Sequence, residues 1–267
     1  MKGRVLTVAG SDSGGGAGIQ ADIKTISALG GYAASAVTAL TAQNTRGVFG
    51  VHPVPPDFVL QQMDVVLADI GADAVKTGML ASVAIIEAVA LGVSRFAAAM
   101  PLVVDPVMVA KGGAALLADD ATQALIGHLV RRAALVTPNI PEAEVLLGRR
   151  IAGAGDMTRA ALDLLALGPR AVLLKGGHLD GDDLVDVLAT ADGVTAFSGR
   201  RIPGTSTHGT GCTLASAIAC GLAQGMGLTA AVERARAYVR RAIETAPGYG
   251  AGHGPLNHLH PVAEFVW

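Results

Sequence analysis

Cys212 stands where a glycine-flanked turn meets a run of small residues, THGTGCTLASAIACG, Thr207 to Gly221. Backbone N–H groups at a helix start lack intrahelical partners, and glycines let an anion approach them. A phosphoryl group in transfer needs such a cradle, because its charge gathers on the equatorial oxygens. The plain alternative is a glycine-rich turn with no ligand. At a helix N-terminus a thiol is expected to lean towards thiolate. Cys212 is then a proton acceptor, a nucleophile, or filler in a tight helix start. A disulfide is excluded. The only other cysteine, Cys220, lies on the same helix, about 12 Å further along its axis. Bridged Cα atoms sit within about 7 Å, and no zinc-ligand spacing exists.

Other chemistry-bearing residues follow short apolar runs. They are Ser11-Asp12 with GGGAG, Gln43-Asn44, Lys76-Thr77-Gly78-Met79, Asp105, Asn139 and Lys175-Gly176-Gly177. In TPNIPEA, Asn139 and Glu142 are spaced to organise Mg²⁺ and its waters beside phosphates. The same spacing caps a helix, with Pro141 and Glu142 in the first turn. Asp105 in VVDPVM reaches a metal or braces a turn. Lys175 in LLKGG faces phosphate or solvent. His253, His258 and His260 cluster in GHGPLNHLHP, which carries no helix or strand pattern and reads as a surface tail. The chain lacks G-x-x-x-x-G-K-[ST], and GSDSGGGAG lacks the G-x-G-x-x-G spacing, so a P-loop and a dinucleotide fingerprint are both set aside.

Alternating elements must position these residues. Apolar runs predict strands at 4–10, 34–43, 73–78, 101–106, 134–139 and 170–177. Between them, helices are expected at 17–29, 56–70, 81–97, 119–132, 141–148 and 156–167, the second opening on Pro55-Pro56. A hairpin over 183–190 and 194–202 turns at Asp192-Gly193. Helices over 209–224 and 229–246 close the pattern. Repeated strand–helix units imply a mostly parallel central sheet with helices on both faces, in one α/β domain spanning 1–267. Ligands of such sheets bind beyond the carboxyl ends of the strands.

Composition narrows the function classes. Half the residues are hydrophobic (51%), enough for a large core, while net charge is −2 and aromatics are 3%. No basic excess or stacking surface suits nucleic acid, and none suits an anionic membrane. Gly209 to Val232 carries no charge, yet Gly221, Gln224, Gly225 and Gly227 interrupt it, giving two buried helices rather than a membrane span. MKGRVLTVAG has too short an apolar run for a signal peptide. A cytoplasmic protein is expected.

Seven motifs in order, AGSDSGGGAGIQADIKT, TALTAQNT, KTGML, VVDPVM, TPNIPEA, LKGGH and HGTGCTLASAIA, resemble the hydroxymethylpyrimidine/phosphomethylpyrimidine kinases of thiamine biosynthesis. The resemblance covers essentially the whole chain. It implies a ribokinase-like α/β fold and ATP- and Mg²⁺-dependent phosphorylation of 4-amino-5-hydroxymethyl-2-methylpyrimidine, then of its monophosphate. Carried over, it places Gly10, Asp22, Gln43, Met79 and Val107 at the pyrimidine. Asn139, Lys175, Gly209 and Gly211 fall at the nucleotide, and Asp105 and Glu142 on the Mg²⁺ side. Cys212 serves as base, with Gly209, Thr210, Gly211 and Lys175 in the catalytic group. A homo-oligomer, a dimer, is expected. Many ribokinase-like sugar kinases carry G-A-G-D where this chain has Gly209-Thr210-Gly211-Cys212, so the base changes from carboxylate to thiol. The Gln43 amide offers a donor and an acceptor side by side, which matches an aminopyrimidine edge. The rival readings are a pyridoxal kinase of the same fold, a thiol hydrolase with His208 as base, and a non-catalytic binding module.

Overall fold

A computed structural model describes residues 1–108, 121–177 and 181–263. Residues 119 and 120 of the helix expected at 119–132 and His178 of LKGGH lie outside the described residues. Among the described residues, nine strands form one sheet in the order β3-β2-β1-β4-β5-β6-β7-β8-β9. They are β1 (Arg4–Asp12), β2 (Tyr32–Asn44), β3 (Gly47–Pro53), β4 (Ala74–Thr77), β5 (Leu102–Val104), β6 (Leu135–Val136), β7 (Ala171–Leu174), β8 (Asp183–Thr190) and β9 (Gly193–Arg200). Pairing is parallel from β2 through β7 and antiparallel at β3, β8 and β9.

Side-chain alternation along each strand sorts the helices into two layers. Leu6, Val75, Val104, Val136 and Val172 point to one face, where α2 (Pro56–Asp69), α3 (Val83–Phe96), α4 (Ala121–His128), α5 (Ile140–Leu147) and α6 (Met157–Leu165) pack. Val5, Val103, Leu135 and Leu173 point the other way, against α1 (Gly18–Ala28), α7 (Thr210–Ala223) and α8 (Leu228–Glu244). With α1, α8 and the sheet around it, α7 is buried from Thr213 to Gly221. Its charge-free composition is that of a central helix. No helix among the described residues is long and apolar enough to cross a membrane.

The chain runs from β1 to β2 on one side of β1 and later returns to β4 on the other. This reversal makes a crevice at the carboxyl ends of β1 and β4. Three features depart from the sequence expectations. β3, in GVFGVHP, is an additional edge strand, and a register shift at Ala42/Gln43 accommodates it. The helix expected to reach 132 stops at His128 and is followed by a 3₁₀ turn, Val130–Arg132. The expected surface tail instead folds back: His258 is 3% exposed, and its Nε2 lies 3.0 Å from Thr213 Oγ1 on α7.

Candidate active site

A cavity of about 1140 Å³ opens at the strand carboxyl ends. Gly10, Gln43, Met79 and Val107 line it together with Asp105, Asn139, Glu142, Lys175 and the run Gly209 to Cys212. Sequence reasoning thus names twelve residues that the fold brings to one cavity. Asp22 is the exception: it is fully buried and does not line the cavity.

The start of α7 borders this space. Gly209 precedes it with φ +79°, and a Cβ there would meet Gly16 O at 1.8 Å, so this position requires glycine. No side chain among the described residues caps the helix; Thr210 N turns to Thr207 O and Thr213 N to Gly209 O, which leaves the N–H groups of Gly211 and Cys212 to water or a ligand. A Cβ on Gly211 would come 3.2 Å from Lys175 Nζ. Glycine there lets the lysine reach the helix start. Lys175 Nζ also lies 3.0 Å from Asp105 Oδ1, which accepts a hydrogen bond from Thr137 Oγ1 as well. Burial alone would push Lys175 down, but Asp105 and Glu142 outweigh it and hold the ammonium above its ordinary range.

Glu142 has both of the roles that its spacing allows. Asn139 Oδ1 accepts from Glu142 N at 2.9 Å, and Glu142 Oε2 accepts from Asn139 N at 2.8 Å, a complete capping box. The same carboxyl faces the cavity. Burial pushes it up to about 7; Lys175 opposes that shift and Asp105 adds to it. Two carboxylates beside one lysine suit a Mg²⁺ that keeps water and phosphate ligands. They do not make an all-protein cage: no group of three or more His, Cys, Asp or Glu side chains among the described residues could hold a metal.

Cys212 departs from the thiolate expectation. Burial pushes its thiol up to about 11; Lys76 pulls it down, while Asp22 and Asp105 push it further up. Desolvation therefore overrides the helix terminus. Beneath it, Lys76 and Asp22 form an ion pair with both side chains fully buried, Nζ lying 2.9 Å from each carboxylate oxygen. Thr7 Oγ1 and Ser216 Oγ also donate to Asp22. With four bonds taken, Asp22 has no capacity left for a pyrimidine. It anchors Lys76, whose ammonium burial alone would lower but whose attraction to Asp22, Cys212 and Asp105 raises.

At the carboxyl end of β1, Asp12 organises the glycine loop. Its oxygens accept from Gly14 N, Gly16 N and Ala17 N at 2.8, 3.0 and 2.8 Å. His208 Nε2 lies 2.8 Å from Asp12 Oδ2 and 3.2 Å from the nearer end of the Gln43 amide. Burial pushes the Asp12 carboxyl up, yet the bonds from His208, Ala17 and Gly14 prevail and hold it below its usual range. His208 thus turns to Asp12 and Gln43, which removes the base that a thiol hydrolase would need beside Cys212. Sequence reasoning missed the structural weight of Asp12, His208, Lys76, Thr7 and Ser216. The local signals for this set were a lysine inside the apolar strand DAVKTG and the polar end of β1 at Asp12.

The phosphomethylpyrimidine kinase family model matches residues 12–257. The chain is 55% identical over 97% of its length to the thiamine biosynthesis bifunctional protein ThiED of Geobacter sulfurreducens, of which it spans 52%. It is 49% identical to the hydroxymethylpyrimidine/phosphomethylpyrimidine kinase of Rhizobium meliloti, covering 97% of this chain and 98% of that one. Among solved structures, the ADP complex of Bacillus subtilis pyridoxal kinase is similar, with a TM-score of 0.89 and 35% identity over 97% of this chain and 98% of that one. The fold is ribokinase-like. Sheet, cavity and sequence kinship agree: the chain is a kinase and belongs to the phosphomethylpyrimidine kinase family.

Proposed function

We propose that this enzyme phosphorylates 4-amino-5-hydroxymethyl-2-methylpyrimidine with ATP and Mg²⁺, and then phosphorylates the monophosphate to the diphosphate. The observation that carries this reading is the shared cavity of about 1140 Å³. Its volume exceeds the ~300–1,000 Å³ of a pocket for one drug-sized ligand. A donor–acceptor amide, Gln43, and an uncapped helix start line the same space. One suits the aminopyrimidine edge and the other a phosphoryl group.

In this reading Gly10, Gln43, Met79 and Val107 hold the pyrimidine. Asn139, Lys175 and the N–H groups after Gly209 hold the nucleotide phosphates, with Thr210 and Gly211 in the cradle. Bound Mg²⁺ neutralises phosphate charge, and Asp105 and Glu142 would hold it, through water. Lys175 stabilises charge on the transferred group. Cys212 accepts the proton of the attacking hydroxyl. The substrates named for the Rhizobium relative support the pyrimidine; pyridoxal is the alternative.

Gln43→Leu tests the assignment. A hydrogen-bonding site discriminates strongly against a ligand that loses its partner. The variant should raise KM for the pyrimidine by about tenfold or more, one hydrogen bond's worth, and leave KM for ATP near wild type. Equal losses for both ligands would move Gln43 away from the pyrimidine.

A further inference from the structure

We propose that Asp12–His208 on one side and Ser11–Thr41 on the other lock the Gln43 amide in a single orientation, and so set which ring edges the pocket accepts. The inference rests on the pyrimidine reading above and extends it from a contact to a device for specificity.

The lock follows from counting hydrogens. Asp12 accepts three backbone N–H bonds and is an anion, an acceptor only. His208 Nε2, 2.8 Å away, must therefore carry hydrogen. A protonated Nε2 has no lone pair to accept from an amide N–H facing it at 3.2 Å; the amide oxygen is the end that fits there, sharing the hydrogen that Nε2 directs at Asp12. Thr41 Oγ1 gives the same answer independently. Its single hydrogen goes to Ser11 O at 2.9 Å. Towards Gln43, 3.2 Å away, Thr41 then has only lone pairs to offer, and the amide must turn its NH₂ there. The two ends of an amide are nearly equal in size, and their partners fix which is which. Both neighbours demand one arrangement: Oε1 towards His208 and Nε2 towards Thr41.

The chemical consequence concerns the remaining lone pair and N–H. Either orientation offers one donor and one acceptor, but in opposite order. An aminopyrimidine edge presents a ring-nitrogen acceptor beside an amino donor. The corresponding 4-oxo pyrimidine presents a ring N–H donor beside a carbonyl acceptor. A free amide turns over to suit either ring; a locked one does not. Asp12, His208 and Thr41 are thus positioning residues, acting on the ligand through Gln43. The carboxylate that orders the glycine loop also sets the recognition amide.

Two readouts separate this inference from the substrate reading. The first needs no substrate. Nitrogen-15 NMR of the ligand-free protein at neutral pH, with the His208 ring assigned by its loss in His208→Gln, should show Nε2 protonated. A bare Nε2 overturns the lock. The second compares wild type with His208→Leu, Thr41→Val and His208→Gln on the 4-amino and 4-oxo pyrimidine alcohols. His208→Leu and Thr41→Val should each narrow the preference for the amino ring by about tenfold, raising KM for the amino ring more than they lower kcat. His208→Gln, which keeps a donor for Asp12, should restore most of the preference. Unchanged preference in either foldable variant, with wild type active on the amino ring, overturns the lock. A wild type inactive on the amino ring removes the substrate reading instead, and the ring-nitrogen spectrum still decides the lock.

Discussion

Burial and Lys76 pull the Cys212 thiol in opposite directions, and burial prevails, leaving it at about 11. A base of that strength is mostly protonated at neutral pH, so its thiolate fraction grows as pH rises. In the free enzyme kcat/KM should climb from neutral pH towards about 11. Cys212→Ala should lower kcat by ~10²–10⁴-fold and flatten that climb. Cys212→Asp should recover part of the loss, and Cys220→Ala, in the buried middle of α7, should leave kcat unchanged. An alanine variant with wild-type kcat and pH profile would leave the motif only its N–H cradle. Burial holds the Glu142 carboxyl up at about 7. Below that pH its carboxyl is neutral and loses its attraction for Mg²⁺, so the Mg²⁺ requirement should steepen as pH falls through 7. Its raised value also has a stability sign. The contribution is present below the unfolded value near 4.5 and is lost as pH rises through about 7. Glutamine still completes a capping box and cannot ionise. Glu142→Gln should therefore erase the step in Mg²⁺ dependence while melting at the same or a higher temperature at pH 8. A variant that only melts lower would assign Glu142 to capping alone.

Among the elements, β4 and α1 are joined by the one ion pair among the described residues with both side chains fully buried, Lys76–Asp22. Removing one partner strands a charge and costs about 3–5 kcal/mol, whereas replacing both with apolar groups is often neutral. Lys76→Met should lower the melting temperature sharply, and Lys76→Met with Asp22→Leu should regain much of it by calorimetry. A double variant no better than the single would place the stabilisation in the Thr7 and Ser216 bonds instead. This pair also shows where sequence reading stops. The strand–helix alternation was legible because apolar periodicity is local, as in α1 with Ile19 and Ile26 buried. Asp22 could be named, but not that Lys76, 54 positions away, would occupy it. The burial of His258 is invisible in its local sequence because it comes from distant segments, Thr213 and Tyr238. β3 escaped notice because GVFGVHP, broken by Gly50 and ending at Pro53, owes its strand form to pairing with β2. The polar strand ends were legible for the opposite reason: each follows its own apolar run, and the fold gathers the carboxyl ends by topology.

At the scale of the whole molecule, the reversal of strand order beside β1 places the Gln43 amide and the start of α7 on one cavity. The enzyme's identity as a pyrimidine kinase, rather than a pyridoxal kinase of the same fold, rests on what that cavity accepts. The most direct test gives the wild-type enzyme ATP and Mg²⁺ with hydroxymethylpyrimidine, with its monophosphate, or with pyridoxal, and measures kcat/KM for each by ADP release and product mass. The account predicts turnover of both pyrimidines, with the diphosphate accumulating from the alcohol, and a kcat/KM for pyridoxal well below that for the pyrimidine alcohol. Pyridoxal turned over as well as or better than the pyrimidine, or a pyrimidine left unphosphorylated, would contradict it.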